Sequence, residues 1–270
     1  MCRRDSTDVL VRNFLDHYQV NLLSMPGGRV GCGSVYIKEG KHVTAPGSLS
    51  DIVEPAITLD EPYHEPDLAD LSGTWSGSVS LNLGIGLLHN FLTALGAAGL
   101  INKLQASVQP TSVKNIAFRF AEVSRDSLSP ISLGAALVGH RLVQANPWVR
   151  DGNRYFAVAA VLRSRSISIE GRDSGDSAAD LGVGVATVAD VDAKVQVRRE
   201  SKSEVTYSGR EALAIGVELY ELSWDDDQQE FAFHTPKGPL VVRGLRPDQP
   251  LKPAFIGDDE DAFIVPEEAG

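Results

Sequence analysis

The chain has 270 residues, a formal net charge of −11 and a hydrophobic content of 43%. This length and composition suit one large or two small globular domains. The acidic charge argues against nucleic acid as a partner, because attraction to phosphate needs a local excess of Lys and Arg. The two cysteines, Cys2 and Cys32, form no disulfide framework and no CxxC motif. With no signal peptide and no run of about 18 apolar residues, the sequence predicts a protein made in soluble form in a reducing cytoplasm.

The first third of the chain mixes helical and strand patterns. The opening segment, residues 1–25, has a helical stripe of Val9, Leu10, Phe14 and Leu15, with Asp5 or Ser6 as the N-cap, and it ends at Pro26. Short strands and turns are predicted from 30 to 66. Apolar residues then alternate with small polar ones over residues 75–87, which predicts a long two-sided strand. After Leu87 the spacing becomes helical as far as Leu104, and glycines lower the helix preference by roughly 1 kcal/mol each. A strand pattern therefore runs directly into a marginal helix.

The middle of the chain predicts two more strands and a helix between them. Residues 114–123 alternate as a half-buried core strand, and residues 126–143 carry helical spacing, with Pro130 restricting the start. Residues 155–169 alternate again, but their apolar parity changes part-way, which predicts a bulge or a bend. Further strands are predicted at 205–207, 213–222 and 230–233.

The clearest two-sided strand covers residues 181–197, whose odd positions carry no charge. It exceeds the roughly 9–11 residues with which a tilted strand crosses a bilayer. With the 155–169 strand and the polar segment 170–180 between them, it predicts a β-hairpin. The pattern leaves two environments open for the apolar face, a protein core or, after a conformational change, lipid. The apolar face carries Val183, Val185, Val191, Val195 and Val197, and the opposite face carries Asp190, Asp192 and Lys194.

Catalytic patterns are missing from the sequence. There is no G-x-S-x-G elbow, no HExxH and no Walker A motif, and the six histidines have no metal-ligand spacing. The acidic triple at 225–227 fits a solvated turn, and nothing near Cys32 identifies a base for its thiol. The sequence therefore predicts no catalytic residue, no metal site and no enzymatic activity.

The order of these features resembles the bacterial gasdermins. The resemblance is carried by Cys2 beside the N-terminus, by a short tail after the last strand, and by the segments 83–99, 113–128, 154–171 and 203–222. It implies an α+β fold, with a twisted, mostly antiparallel central sheet and peripheral helices. It also divides the chain into a pore-forming domain, residues 1–243, and a C-terminal inhibitory peptide, residues 244–270.

The resemblance further implies a mechanism. A caspase-like or trypsin-like protease removes the peptide from a cytoplasmic monomer. The freed body then forms a homo-oligomeric β-barrel pore in the inner membrane and kills the cell, which limits phage spread. The membrane hairpins fall on residues 74–108 and 155–198, where the alternation is longest. A palmitoyl group on Cys2 is the only attached group that the resemblance implies, and no other cofactor is expected.

Sequence chemistry suggests where the peptide is cut and how it docks. Arg243 before Gly244 is the first choice, because Arg246 precedes a proline, and Leu245 is the second. The tail is expected to dock through Phe255, Ile256, Phe263, Ile264 and Val265. The alternative function is a soluble β-rich binding module with no membrane activity, in which every alternating strand faces an ordinary core. An enzyme whose site is assembled from distant residues is a third option.

Overall fold

One large sheet dominates the computed structural model, which describes residues 20–27, 29–40, 42–66, 68, 77–95, 113–143, 145–150, 152–175, 177–181, 195–225, 230–235, 238–240 and 266–267. Within these ranges the sheet has 12 strands, and β4 and β8 form a separate two-stranded sheet. The helices are α1 (Leu49–Ile52), α2 (Leu81–Ala94) and α3 (Pro130–Leu137). The strands are β1 (Asn21–Gly27), β2 (Ser34–Glu39), β3 (His42–Ser48), β4 (Val53–Glu54), β5 (Tyr63–Glu65), β6 (Gly77–Ser80), β7 (Asn115–Ser127), β8 (Arg141–Leu142), β9 (Arg154–Arg172), β10 (Val195–Arg199), β11 (Glu204–Asp225), β12 (Glu230–Thr235), β13 (Gly238–Leu240) and β14 (Pro266–Glu267).

The two longest strands, β9 and β11, form the antiparallel centre of the sheet. The outer edge of β9 carries β2 and then β7, while the outer edge of β11 carries β12, β1 and β10. The sheet is extended by β3 beside β2, β13 beside β12, and both β5 and β6 beside β7. Among the strands that the structure describes, only β14 pairs in parallel, with β3. The expectation of a mostly antiparallel sheet with a few helices is confirmed.

Three apolar clusters hold the sheet to its covering elements. The α2 cluster joins α2 to one face of β7, β9 and β11, and includes Leu88, Phe91, Leu92, Leu95, Ile116, Phe118, Phe120, Ile167, Ile169, Val205 and Tyr207. The α3 cluster joins α1 and α3 to the other half of the sheet, and includes Leu49, Ile52, Leu133, Leu137, Val35, Ile37, Tyr155, Ala157, Tyr220 and Leu222. The strand cluster lies behind it and comprises Leu23, Tyr36, Val43, Phe156, Val158, Val161, Ala214, Val217 and Leu219.

The predicted change of parity in the 155–169 strand is confirmed. Leu162 and Ile167 both belong to the α2 cluster although their numbers differ in parity. The pairing of β9 with β11 shifts between Ser208 and Leu213, so the extra residues lie on β11. On the other side of β9, Glu122 of β7 takes a φ of 52°, which is unusual for a residue with a side chain. The irregularity therefore crosses all three strands at one level.

The predicted strand over residues 75–87 is wrong from Leu81 onward. Residues 77–80 form β6, but α2 begins at Leu81 and ends at Ala94. The physical reason is that the sequence satisfies both periods. Leu81, Leu83, Ile85 and Leu87 alternate as in a strand, while Leu81, Ile85, Leu88 and Leu92 recur at helical spacing. Burial of Leu88, Phe91, Leu92 and Leu95 against the sheet favours the helix here.

Three further predictions need correction. The opening segment, expected to be helical as far as Pro26, is a strand from Asn21 onward, because β1 pairs with β11, and its residues 1–19 lie outside the described ranges. The helix expected over residues 126–143 is confined to α3, because β7 continues to Ser127 and Ser129 caps a helix that begins at Pro130. Among the described residues, the hairpin expected between the 155–169 and 181–197 strands is not formed. Of the second strand only residues 195–199 are described as β-structure, and they pair with β11, which lies between them and β9. The segments predicted at 205–207 and 213–222 are parts of β11.

Candidate functional site

The section of sheet formed by β7, β9 and β11 has two chemically different faces. Every second row across these strands is apolar. One such row is Phe120, Ile167 and Tyr207, and another is Phe118, Ile169 and Val205. All six side chains belong to the α2 cluster. The alternate rows on the opposite face are Ala121, Ser166 and Ser208, then Arg119, Ser168 and Thr206, then Ala117, Glu170 and Glu204. One face is therefore apolar, and the other carries small, polar or charged side chains over the same stretch.

Hydrogen bonds between neighbouring strands satisfy the polar face. The hydroxyl oxygens of Ser168 and Thr206 are 2.7 Å apart, and the Ser208 hydroxyl donates to the Ser166 hydroxyl at 2.9 Å. The Arg119 guanidinium forms an ion pair with the Glu204 carboxylate across the width of β9. These bonds satisfy the hydroxyl groups of this face, on which Ser166 and Ser168 are buried.

The apolar face is covered by α2. The rings of Phe91 and Phe120 lie with centroids 6.1 Å apart, and Leu95 at the end of the helix packs on the backbone of Gly209 so closely that a Cβ at Gly209 would overlap it. The Tyr207 side chain is buried with its hydroxyl lacking a hydrogen-bond partner within the described part of the chain. Burial raises the pKa of Tyr207. The helix thus protects a large apolar surface but leaves one phenol unsatisfied.

The structure places part of the predicted membrane-hairpin face in this same cluster. Val195 is buried there, Val197 is partly buried against it, and Leu181 is fully buried beside Gly171. Val183, Val185 and Val191 lie outside the described residues. At the described positions the apolar face of this segment meets protein in this state.

A polar network connects the strands next to the irregularity. The Asp126 carboxylate accepts hydrogen bonds from Arg163 Nε at 3.0 Å and pairs with His64 Nδ1 at 2.6 Å. Arg163 also donates to the carbonyl oxygen of Val30 at 2.5 Å. Burial works against ionisation of Asp126, but the bonds from His64 and Arg163 outweigh it and lower its pKa. The network joins β5, β7 and β9 to the loop before β2.

Cys32 lies at the edge of this network and is not an activated thiol. Its Sγ donates to the Asp126 carbonyl oxygen at 3.4 Å. Burial, together with the negative charge of Asp126, raises the pKa of Cys32 to about 11. The thiol is therefore protonated at neutral pH and unsuited to nucleophilic chemistry.

A second buried polar group lies on β11. The Glu218 carboxylate accepts a hydrogen bond from Arg125 at 2.6 Å and another from the Tyr220 hydroxyl at 2.8 Å. Burial first, and then the charge of Glu218, raises the pKa of Tyr220. The Arg125 guanidinium and the Glu218 carboxylate form an ion pair, which offsets the free-energy cost of burying the carboxylate.

The remaining predicted sites are only partly covered by the described residues. Strand β14 places Pro266 beside Val43 and Glu267 beside Thr44. The other predicted positions lie outside the described residues. They are Cys2, the proposed cut at Arg243, Gly244 or Leu245, and the tail residues Phe255, Ile256, Phe263, Ile264 and Val265. Across the ranges that the structure describes, no cluster of potential metal ligands is present. In those same ranges, no helix is both long and apolar enough to span a membrane.

Comparisons with known proteins decide the family. A family model described as the Bacterial Gasdermin Family matches residues 23–230. The chain belongs to this family. Gasdermin bGSDM of Vitiosangium sp. is 27% identical over 187 residues, 65% of this chain and 66% of that protein. Gasdermin bGSDM of Bradyrhizobium tropiciagri is 24% identical over 97% of both chains. A solved structure of a bacterial gasdermin from Bradyrhizobium tropiciagri superposes with a TM-score of 0.65 at 18% identity, covering 94% of each chain.

Membership places the chain among pore-forming cell-death effectors, a family that is described as non-enzymatic. The sequence predicts strands within β7, β9 and β11 and helical spacing after Leu87. It does not predict the contacts that hold α2 against the sheet. Gly209 reads as a turn residue beside Ser208, and only the fold shows that its missing side chain makes room for Leu95. The alternation of Ser164, Ser166 and Ser168 was the available signal for the polar face.

Proposed function

We propose that this gasdermin is an autoinhibited pore-forming protein, activated when a protease removes residues 244–270. The freed body then oligomerises in the inner membrane as a large β-barrel pore and kills the cell, as a defence against phage. The observation that carries the proposal is the two-faced section of β7, β9 and β11, in a chain that belongs to the gasdermin family. A barrel wall in lipid needs one continuous apolar face and one polar face, and this section already has both.

Helix α2 supports the proposal because its sequence fits two structures. Its glycines, Gly84 and Gly86, lower helix stability by roughly 1 kcal/mol each relative to alanine, and its leucines alternate with small or polar residues as a membrane strand requires. Held against the sheet, the segment is helical. Released into a bilayer, it can continue β6 as a strand with its leucines towards lipid.

Oligomerisation follows from the same physics. An open sheet in a bilayer would leave unpaired N–H and C=O groups at its edges, each costing several kcal/mol. A single copy cannot close a wide barrel from two hairpins. The inserted hairpins therefore require neighbours, and the partner is further copies of this chain.

Removal of the tail changes both charge and apolar contacts. Residues 244–270 carry seven acidic and two basic residues, a net of −5, so the body changes from −11 to −6. The smaller negative charge weakens repulsion from anionic lipid. Loss of apolar tail contacts has the larger effect, since each fully buried apolar side chain contributes about 1.5–3 kcal/mol.

Two chemical steps complete the proposal. The protease, caspase-like or trypsin-like, cuts after Arg243, with Leu245 as the second choice. A palmitoyl group in thioester linkage on Cys2 adds about 0.8 kcal/mol of membrane affinity for each buried methylene. Intact mass measurement of the N-terminal peptide tests the acylation directly.

Liposome leakage tests the central claim. Full-length protein and protein ending at Arg243 are added to liposomes of bacterial polar lipids loaded with a fluorescent dye. We expect rapid release with the truncated protein and little with the full chain. If a folded truncated protein leaves the liposomes intact, the alternative of a soluble β-rich binding module replaces the pore.

A further inference from the structure

The pairing of β6 with β7 determines which positions of β6 belong to the apolar face of the sheet. Val79 of β6 is the register partner of Ile116, and Ser78 is the partner of Ala117. Ile116 belongs to the α2 cluster, whereas Ala117 lies in a row of the polar face beside Glu170. Because side chains alternate along a strand, odd-numbered residues of β6 lie on the apolar face and even-numbered residues on the polar face.

If β6 continued as a strand through the sequence of α2, this alternation would place His89 among apolar residues. Apart from His89 and Thr93, the odd positions are apolar, and they are Leu81, Leu83, Ile85, Leu87, Phe91 and Leu95. The even positions are small or polar apart from Leu88 and Leu92. His89 is therefore the one titratable residue on the face of this strand that would meet lipid, and its neighbours along that face are Leu87 and Phe91.

The same histidine is exposed to water while the segment is a helix. Leu88, Phe91, Leu92 and Leu95 of the helical segment are buried against the sheet, whereas His89 between them is exposed. A charge on an exposed imidazole is hydrated, so protonation of His89 is compatible with the helix. The two structures of this segment therefore differ in whether they tolerate a charged histidine.

Within the described part of the chain, the elements packed against α2 present no charged partner to His89. The helix itself and strands β1 and β6 carry no other charged side chain. On β9 and β11 the titratable residue beneath the helix is Tyr207, whose pKa is raised by burial. The charged residues of β7 lie on the opposite face, in ion pairs or at the irregularity of the sheet, and they are Arg119, Glu122, Arg125 and Asp126.

We infer that His89 makes insertion of the α2 segment dependent on pH, so that the segment enters a bilayer with a neutral imidazole and stays out of it in acid. This inference rests on the proposed pore. A charged side chain on the lipid face of a barrel destabilises the inserted strand, and histidine is the side chain that ordinarily gains its charge between pH 8 and 5. The neutral fraction of an ordinary imidazole falls about tenfold between pH 7.5 and 5.5, and every copy in the barrel carries the same residue.

The sign of this effect separates it from other effects of acid. Protonation of carboxylates makes the acidic body less negative, which favours contact with anionic lipid. A general effect of acid would therefore speed insertion. Protonation of His89 would slow it.

Dye release at two pH values tests the inference in protein ending at Arg243. With liposomes of bacterial polar lipids, we expect release by the protein with native His89 to be at least tenfold slower at pH 5.5 than at pH 7.5. His89→Leu should release dye at rates that agree within about twofold at the two pH values, and His89→Lys should be at least tenfold slower than the native residue at pH 7.5. The matched control is His140→Gln, a partly exposed histidine after α3, which should keep the native pH dependence. The same pH dependence in His89→Leu as in the native residue, or its loss in His140→Gln, would overturn the inference.

A second measurement asks directly whether position 89 meets lipid. In a background of Cys2→Ser and Cys32→Ser, His89→Cys and Asn90→Cys are each labelled with a polarity-sensitive fluorophore and mixed with the same liposomes at pH 7.5. We expect a blue shift of the emission with His89→Cys and little shift with Asn90→Cys, because neighbouring residues of a strand face opposite sides. Equal shifts, or no shift at position 89, would overturn the inference.

The outcomes also separate this inference from the pore itself. Dye release that does not depend on residue 89 would retain the pore and reject the role of His89. If no variant released dye at either pH, the pore and the inference that rests on it would both be rejected. Circular dichroism confirms that each variant folds.

Discussion

Gly209 of β11 lies directly beneath Leu95, the residue that follows α2, and the contact leaves no room for a side chain. Gly209→Val should therefore displace Leu95 and lower the free energy of unfolding by about 1–3 kcal/mol. Chemical denaturation measures the change, with Gly31→Val as the control because a Cβ at Gly31 meets no atom within 4 Å. Leu95→Ala in the Gly209→Val background should restore part of the loss. Equal effects at positions 209 and 31 would mean that the contact does not hold the helix.

Two buried tyrosines provide a matched pair of substitutions. The Tyr207 hydroxyl lies under α2 with no hydrogen-bond partner among the described residues, while the Tyr220 hydroxyl donates to Glu218 at 2.8 Å. Tyr207→Phe should raise the free energy of unfolding by roughly 1 kcal/mol, and Tyr220→Phe should lower it by a similar amount. Thermal and denaturant unfolding both measure this difference. A loss of stability in Tyr207→Phe would show that its hydroxyl is satisfied.

Acid should loosen the network around Asp126. Its lowered pKa means that its contribution to stability is present above the unfolded value of about 3.9 and is lost as the pH falls through the folded value. Asp126→Asn should therefore cost about 1–3 kcal/mol at pH 7, and the difference from the native protein should shrink below about pH 4. Unfolding experiments from pH 3 to 7 test this prediction. A difference that stays constant over that range would mean that the charge of Asp126 does not contribute to the free energy of unfolding.

Neighbouring positions on β10 test which face meets lipid. In protein ending at Arg243, Val197→Asp should reduce dye release from liposomes at least tenfold, because a carboxylate on the lipid face of a barrel is unfavourable. Gln196→Asp, on the exposed face of the same strand, should leave the release nearly unchanged. Circular dichroism confirms that both variants fold. Similar leakage from both would mean that this strand never meets lipid.

The scissile bond is tested by two arginine variants of the full-length protein. Arg243→Gln should prevent cleavage by a trypsin-like activating protease, and Arg246→Gln should not, because most such enzymes avoid an arginine that precedes proline. Mass spectrometry of the released peptide identifies the bond. Cleavage before residue 235 would contradict the division of the chain at residue 243.

The alternation of apolar and polar residues predicted the strands whose two faces differ in polarity. It failed where the same sequence fits both a strand and a helix. Alternation placed β7, β9 and most of β11 correctly, because their period is imposed by the sheet itself. It misassigned Leu81 to Leu87, where the choice of helix depends on burial against Phe120 and Gly209, residues that are distant in sequence. It also paired residues 195–197 with the wrong strand, because a polar loop permits a hairpin but does not require one. The polar network at Asp126 depends on long-range contacts and had no local signal.

The pairing of β1 with β11 also sets the order in which the protein can be completed during synthesis. The Asn21 side chain donates to the carbonyl oxygen of Val217, 196 residues later, so the sheet cannot close until the chain has left the ribosome at least as far as Val217. At 5–20 residues per second, β14 follows the end of β11 by about 2–8 s. Sheets built from such distant pairings fold slowly, over milliseconds to seconds. The late closure of the sheet therefore shortens the time that a newly made molecule spends folded before the C-terminal segment, proposed above as the inhibitory peptide, is complete.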